Sequence, residues 1–227
     1  MTDTITESPA TTQTPPSTKA NKRFELVQPV LEQLFELYPH LFGERFVPLK
    51  VGIFQDILEA HPDVFTRITL KTALGMHTGS ARYLQCVANG TLRFDLQGNQ
   101  VQALAPQHIF HAIVTLFKRR QTRSTDDLLP QLRFQLMHAY ETSGLLRADY
   151  LACIEIPDEA TTSAALDDAI AQVDNRRARR AALITAFEAS GKPVEEFAEM
   201  FKVNVREVKA ALETVRPAQP LASCEGT

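Results

Sequence analysis

Only one stretch of this 227-residue chain alternates in hydropathy. In "TLRFDLQGNQVQAL", residues 91–104, Leu92, Phe94 and Leu96 are separated by Arg93 and Asp95. A Gln-Gly-Asn turn follows, and Val101, Ala103 and Leu104 resume the apolar pattern. Period-two alternation around a Gly-containing turn predicts a β-hairpin, with Arg93 on the face opposite the core. Between Phe24 and about residue 214 the other apolar residues recur at three- and four-residue spacing, as helices packed on a core require. The expected fold class is therefore mainly α: a compact helical domain with one β-hairpin, followed by a separate all-helical C-terminal region.

The helices can be placed one by one. "LVQPVLEQLFELYPHLF" (26–42) spaces Val30, Leu31, Leu34, Phe35, Leu37 and Tyr38 helically, with Pro29 in a first turn and Pro39 ending the run. "PLKVGIFQDILEAHP" (48–62) predicts a second helix, apolar at Ile53, Phe54, Ile57 and Leu58 and stopped before Pro62. Thr66 is placed to cap a third, "RITLKTALGMH", which turns Leu70, Ala73, Leu74 and His77 inward and sets Arg67 and Lys71 on another face. After Thr78-Gly79-Ser80, Ser80 caps a fourth helix from Ala81 to about Val87. Ala105-Pro106 opens a fifth, striped by Ile109, Ile113, Leu116 and Phe117 and ending in Lys118-Arg119-Arg120, where the helix dipole favours cations.

The expected organisation is a disordered tail (1–20, rich in Thr, Ser and Pro), a folded domain (21–126), a helical C-terminal region (127–216) and a loose tail (217–227). Within the C-terminal region helices are expected at about 127–142, 145–153 and 164–190. A helix-turn-helix-like hairpin is expected at about 193–214, its second helix offering Arg206 and Lys209 offset by Glu207 and Glu213.

The net charge of −3 conceals an asymmetry: residues 21–126 sum to +3 and residues 127–227 to −5. From Lys71 to Arg123 there are seven basic residues and one acid, Asp95, so this segment can project a positive potential from an acidic chain. Cys86, Cys153 and Cys224 form no CxxC pair, which favours a reducing compartment over disulfides or zinc. No apolar run approaches a membrane span and no secretory signal is visible, so a cytoplasmic location is expected. His108 and His111 lack an evident third ligand, and no nucleophile, metal or nucleotide motif occurs. Neither an enzyme nor a cofactor is expected.

The stretch best equipped for binding is "HTGSARYLQCVANG", residues 77–90. A helix start leaves backbone N–H groups unpaired and favours negative charge. Here Gly79 permits close approach, Arg82 can grip a phosphate, and Tyr83 offers a flat face and a hydroxyl. The same residues also suit an ordinary Ser-capped helix with Arg82 on the surface and Tyr83 half-buried.

"PLKVGIFQDIL" (48–58), "LKTAL" (70–74), "ARYL" (81–84), "TLRFDLQGN" (91–99) and "QHIFHA" (107–112) occur in an order and spacing that resemble the ProQ/FinO family of bacterial RNA chaperones, over about residues 24–123. The resemblance implies a structured-RNA ligand: an intrinsic-terminator stem with its 3′ uridine tail, as carried by small regulatory RNAs and messenger 3′ ends. It implies RNA contacts at Lys50, Arg67, Lys71, Arg82, Tyr83 and Arg93, with Thr78, Gly79 and Ser80 receiving the 3′ terminal nucleotides. The Lys118, Arg119, Arg120 and Arg123 cluster joins the expected stem-binding face. The match departs from the family at Gly75 and His77, where relatives often carry a basic and an aromatic residue, and at Ala81, which replaces a frequent Trp. The helical region beyond residue 126 inherits no function this way. It leaves open a DNA-reading hairpin and a protein-docking acidic half.

Overall fold

A computed structural model describes residues 18–213 apart from 44, 91 and 157–158. Its elements are, in order, α1 (Thr18–Leu37), α2 (Pro39–Phe42), α3 (Ile53–Ala60), α4 (Arg67–Thr78), α5 (Ala81–Asn89), β1 (Leu92–Phe94), β2 (Gln100–Ala103), α6 (Pro106–Gln121), α7 (Leu129–Ser143), α8 (Arg147–Cys153), α9 (Ala160–Ser190), α10 (Val194–Phe201) and α11 (Val205–Glu213). The chain divides into two compact units at Ser124/Thr125. No described helix is long and apolar enough to cross a membrane.

In the first unit α4 is the central element, packed by α1, α3 and α5, while α6 lies along α5. Leu34, Leu41, Ile57 and Leu70 are fully enclosed, each contributing roughly 1.5–3 kcal/mol of apolar burial. The Thr66 hydroxyl accepts the Thr69 amide at 3.2 Å, the N-cap its position implies. Strands β1 and β2 pair antiparallel, Leu92 opposite Ala103 and Arg93 opposite Gln102. Their turn is held by Asp95, whose Oδ1 accepts the Gln97 and Asn99 amides at 3.0 and 2.8 Å. Gly98 takes φ +82°, and a Cβ there would meet the His40 ring at 3.0 Å, so only glycine suits the turn.

Three local expectations change. The disordered tail was expected to reach residue 20, but α1 begins at Thr18; residues 1–17 lie outside the described residues, as does the expected tail 217–227. Lys19, Ala20, Lys22 and Arg23 are good helix formers and extend the helix backward. Pro29 consequently falls inside α1 rather than in its first turn. It supplies no N–H to the Glu25 carbonyl, a loss that costs least here because both residues are exposed to water. Finally, Pro48–Lys50 is extended rather than helical. Phe94 N–H donates to Pro48 O and Lys50 N–H to Phe94 O, both at 2.8 Å, which lays this segment beside β1.

In the second unit α7 packs on the first half of α9 through buried Leu132, Leu136, Leu166, Ile170 and Val173. The Tyr140 hydroxyl donates to Asp174 at 2.8 Å, and the Arg177 guanidinium sits 4.6 Å from the centre of its ring. Helices α10 and α11 contact each other and pack on α9, with Phe197 and Val208 enclosed. Met200 and Phe201, on the same helix as Phe197, are half exposed. Helix α9 starts at Ala160, four residues ahead of expectation.

Candidate nucleic-acid interface

The start of α5 is built by a tight reversal from α4. Gly79 N–H donates to Gly75 O at 3.0 Å and Ser80 N–H to His77 O at 3.1 Å, closing α4. Ser80 Oγ then accepts the Tyr83 amide at 3.2 Å. The amides of Ala81 and Arg82 have no protein acceptor among the described residues, so the first turn of α5 presents two open donors at its positive end. A Cβ on Gly79 would lie 2.9 Å from Gly75 O, so the reversal itself demands glycine.

Cations approach this point from three elements. Arg67, Lys71, Gly75 and Thr78 follow one another along a single face of α4, a stripe that runs up to the reversal. Arg67 and Lys71 are exposed, and around Gly75 nothing lies within 4 Å of where a Cβ would stand. Arg82 is exposed on the first turn of α5. From α6, Arg119 Nη1 donates to Gly79 O at 2.7 Å and Arg120 Nη2 to Gln85 Oε1 at 2.9 Å. The basic last turn of α6 is thereby fastened against the α4–α5 reversal, while Lys118 and Arg123 are exposed nearby in sequence. Thr78 Oγ1 is already committed as a donor to Leu74 O at 2.8 Å.

Two expected contact residues lie inside instead. Arg93 is only 8% exposed, not on a solvent face: the Pro48–Lys50 segment covers it, and its Nη1 donates to Leu49 O at 2.8 Å. Tyr83 is 7% exposed rather than half-buried, and its ring offers no open face. Its hydroxyl accepts the Leu49 amide at 3.0 Å. Both polar groups of the Leu49 peptide are thus satisfied by buried side chains, which joins this segment to α5 and β1. Burial raises the Tyr83 pKa, partly offset by the Leu49 amide and the Arg93 charge. Lys50 spends its charge locally, 2.8 Å from Asp56.

His77 is packed as an aromatic. It stacks flat on Phe46 at 4.7 Å and meets Phe42 and Tyr83 edge-on. Burial lowers its pKa to about 4, so it adds no charge at neutral pH. Among the described residues no group of three or more His, Cys, Asp or Glu is arranged to hold a metal.

A model of the ProQ/FINO family matches residues 24–128, the span that contains this site. Residues 24–128 are a ProQ/FinO family domain. The domain is 42% identical over 92 residues to a protein named RNA chaperone ProQ from Shewanella piezotolerans, covering 38% of this chain and 43% of that one. The protein of that name from Shewanella amazonensis is 38% identical over 110 residues, covering 43% of this chain and 50% of that one. The chain thus matches half or less of the length of these curated relatives. Among solved structures, a ProQ homolog from Legionella pneumophila is 28% identical with a TM-score of 0.37, covering 52% of this chain and 99% of that one. A FinO-like RNA chaperone from Neisseria meningitidis is 27% identical with a TM-score of 0.35, covering 39% and 90%.

Within the ProQ/FinO domain, sequence reasoning did not find Gln85 as the partner of Arg120, nor Gly75 as a member of the α4 stripe. The stripe was legible, since residues 67, 71, 75 and 78 share a helical face. The Gln85 pairing spans 35 residues and left no local signal.

Proposed function

We propose that the ProQ/FinO domain binds structured RNA at its 3′ end, and that the protein acts as an RNA chaperone in post-transcriptional regulation in the cytoplasm. The ligand is the base-paired stem of an intrinsic terminator with its uridine tail, at the ends of small regulatory RNAs and messengers. One observation carries this reading: the α4 stripe, Arg82 and the end of α6 converge on two unpaired amides at the start of α5. Stem phosphates lie along Arg67, Lys71 and the Lys118–Arg123 cluster, and the terminal nucleotides reach Thr78, Gly79, Ser80 and Arg82. Ser80 Oγ accepts an amide and keeps its own proton to donate. Lys50 contributes at the rim, tempered by Asp56. Tyr83 and Arg93 serve from inside, by holding residues 48–50 against α5.

Binding of this kind needs neither cofactor nor metal and transforms no substrate. It depends on stem shape rather than stem sequence, because an A-form major groove hides most base edges from side chains. The decisive assay compares a terminator hairpin bearing a free 3′ hydroxyl with the same hairpin ending in a 3′ phosphate, or extended beyond its uridines. Blocking should weaken binding about tenfold or more, roughly 1.4 kcal/mol or above. Equal affinity for free and blocked ends would remove the 3′-end reading.

A further inference from the structure

Charge in the second unit is segregated along one helix. The first half of α9 carries Asp167, Asp168 and Asp174 without a base, and then Arg176, Arg177, Arg179 and Arg180 fall within five residues. The fold employs two of these arginines. Arg177 caps the Tyr140 ring and donates to Leu145 O at 2.9 Å, and Arg176 pairs with Glu141 at 3.0 Å. Arg179 and Arg180 have no such acceptor among the described residues, and both line an open groove of about 630 Å³ between α9 and α11. That volume falls within the roughly 300–1,000 Å³ typical of ligand clefts.

We propose that this groove binds a short single-stranded segment of RNA, at a second site separate from the 3′-end site. The two arginines supply phosphate contacts, and their planar guanidinium groups can also stack on bases. Leu183, Val203 and Ala211 form an apolar wall for a base face. Gln172 and Asn175, also in the lining, each present a donor and an acceptor, the combination that base edges require. The single carboxylate, Glu207, can accept from the exocyclic amino group of a base, a contact that the side chains of an acidic peptide do not offer. Duplex DNA fits poorly. A recessed groove admits a strand and not a rod, and the would-be reading helix α11 has Lys209 tied to Glu195 at 3.1 Å and carries Glu207 and Glu213.

The test uses the full chain and a fluorescein-labelled, unstructured 12-nucleotide RNA ending in a 3′ phosphate, which has neither the stem nor the free end that the 3′-end site takes and so engages that site only weakly. Anisotropy titrations at several salt concentrations compare wild type with Arg179→Gln/Arg180→Gln. The double variant should bind roughly fivefold or more weakly, with a log–log salt slope shallower by about 1.4, since each lost single-strand phosphate contact removes about 0.7. Both residues lie outside the core, so circular dichroism should be unchanged and a bare terminator hairpin should bind as before. An unaltered affinity and slope for the oligonucleotide would overturn the proposal, and so would a groove-dependent preference for duplex DNA or a polyglutamate peptide. If hairpin binding were absent while the oligonucleotide still responded to the double variant, the 3′-end reading would fall and the α9 groove would stand.

Discussion

Replacing Tyr83 by Phe removes a single oxygen, and the structure says what that oxygen does. It is the acceptor for the Leu49 amide at 3.0 Å, between residues that are 7% and 3% exposed. The ring still fills its place against His77, so little packing is lost. What changes is that a buried N–H loses its partner, which costs about 1–3 kcal/mol. For a domain of this size each kcal/mol lowers Tm by about 4–8 °C, so the ProQ/FinO unit should melt at least about 4 °C lower. The chain contains no Trp, and its two units need not unfold together, so a bulk melting curve should be paired with amide hydrogen exchange by NMR. Leu49 N–H should lose protection while amides in α7 and α9 keep theirs. RNA affinity measured well below the melting transition should fall less than for Arg82→Gln. Undiminished stability and Leu49 protection, together with a loss of RNA binding equal to that of Arg82→Gln, would refute the internal role and return Tyr83 to the contact surface.

Three more outcomes are expected. His77 has a folded pKa of about 4, against about 6.5 when unfolded. The unfolded chain therefore binds the extra proton between these values, and the stability present above about pH 6.5 should decline by up to about 3 kcal/mol as pH falls to 4. Denaturant titrations across that range should show this slope flattened in His77→Phe. Gly79→Ala places a methyl 2.9 Å from Gly75 O; it should lower Tm and weaken a hairpin with a free 3′ end more than the same hairpin with a blocked end, read by calorimetry and gel shift. Arg67→Gln with Lys71→Gln should leave the far-ultraviolet circular dichroism unchanged. The same pair should make the salt dependence of hairpin binding shallower by about 1.8, or about 0.9 per duplex phosphate lost.

What could be read from the sequence was local. Thr66 and Ser80 announced their helices because a cap and its amide lie three residues apart. The hairpin was visible because alternation and an Asp-to-Asn turn are contained in a dozen residues. Arg93 defeated the same logic. Alternation reports which side of a strand a residue occupies, but not that residues 48–50 would cover the far side and offer it a carbonyl. Tyr83 was misjudged for a related reason, its hydroxyl being claimed by an amide 34 positions away. Of the candidate site, the cations of α4 and α6 were identifiable singly. Their meeting depended on the Arg119 bond to Gly79, across 40 residues, which no periodicity encodes.

Gly75 gives the domain an adjustable grip. It interrupts the α4 stripe with a residue that costs roughly 1 kcal/mol relative to alanine in a helix interior, and it faces open space. Lengthening that position into a cationic side chain would therefore firm the helix and add a phosphate partner together, without disturbing a single core neighbour. Affinity for nucleic acid can in this way drift up or down through one codon while the architecture stays put, a freedom that the neighbouring Gly79, wedged against a carbonyl, does not share.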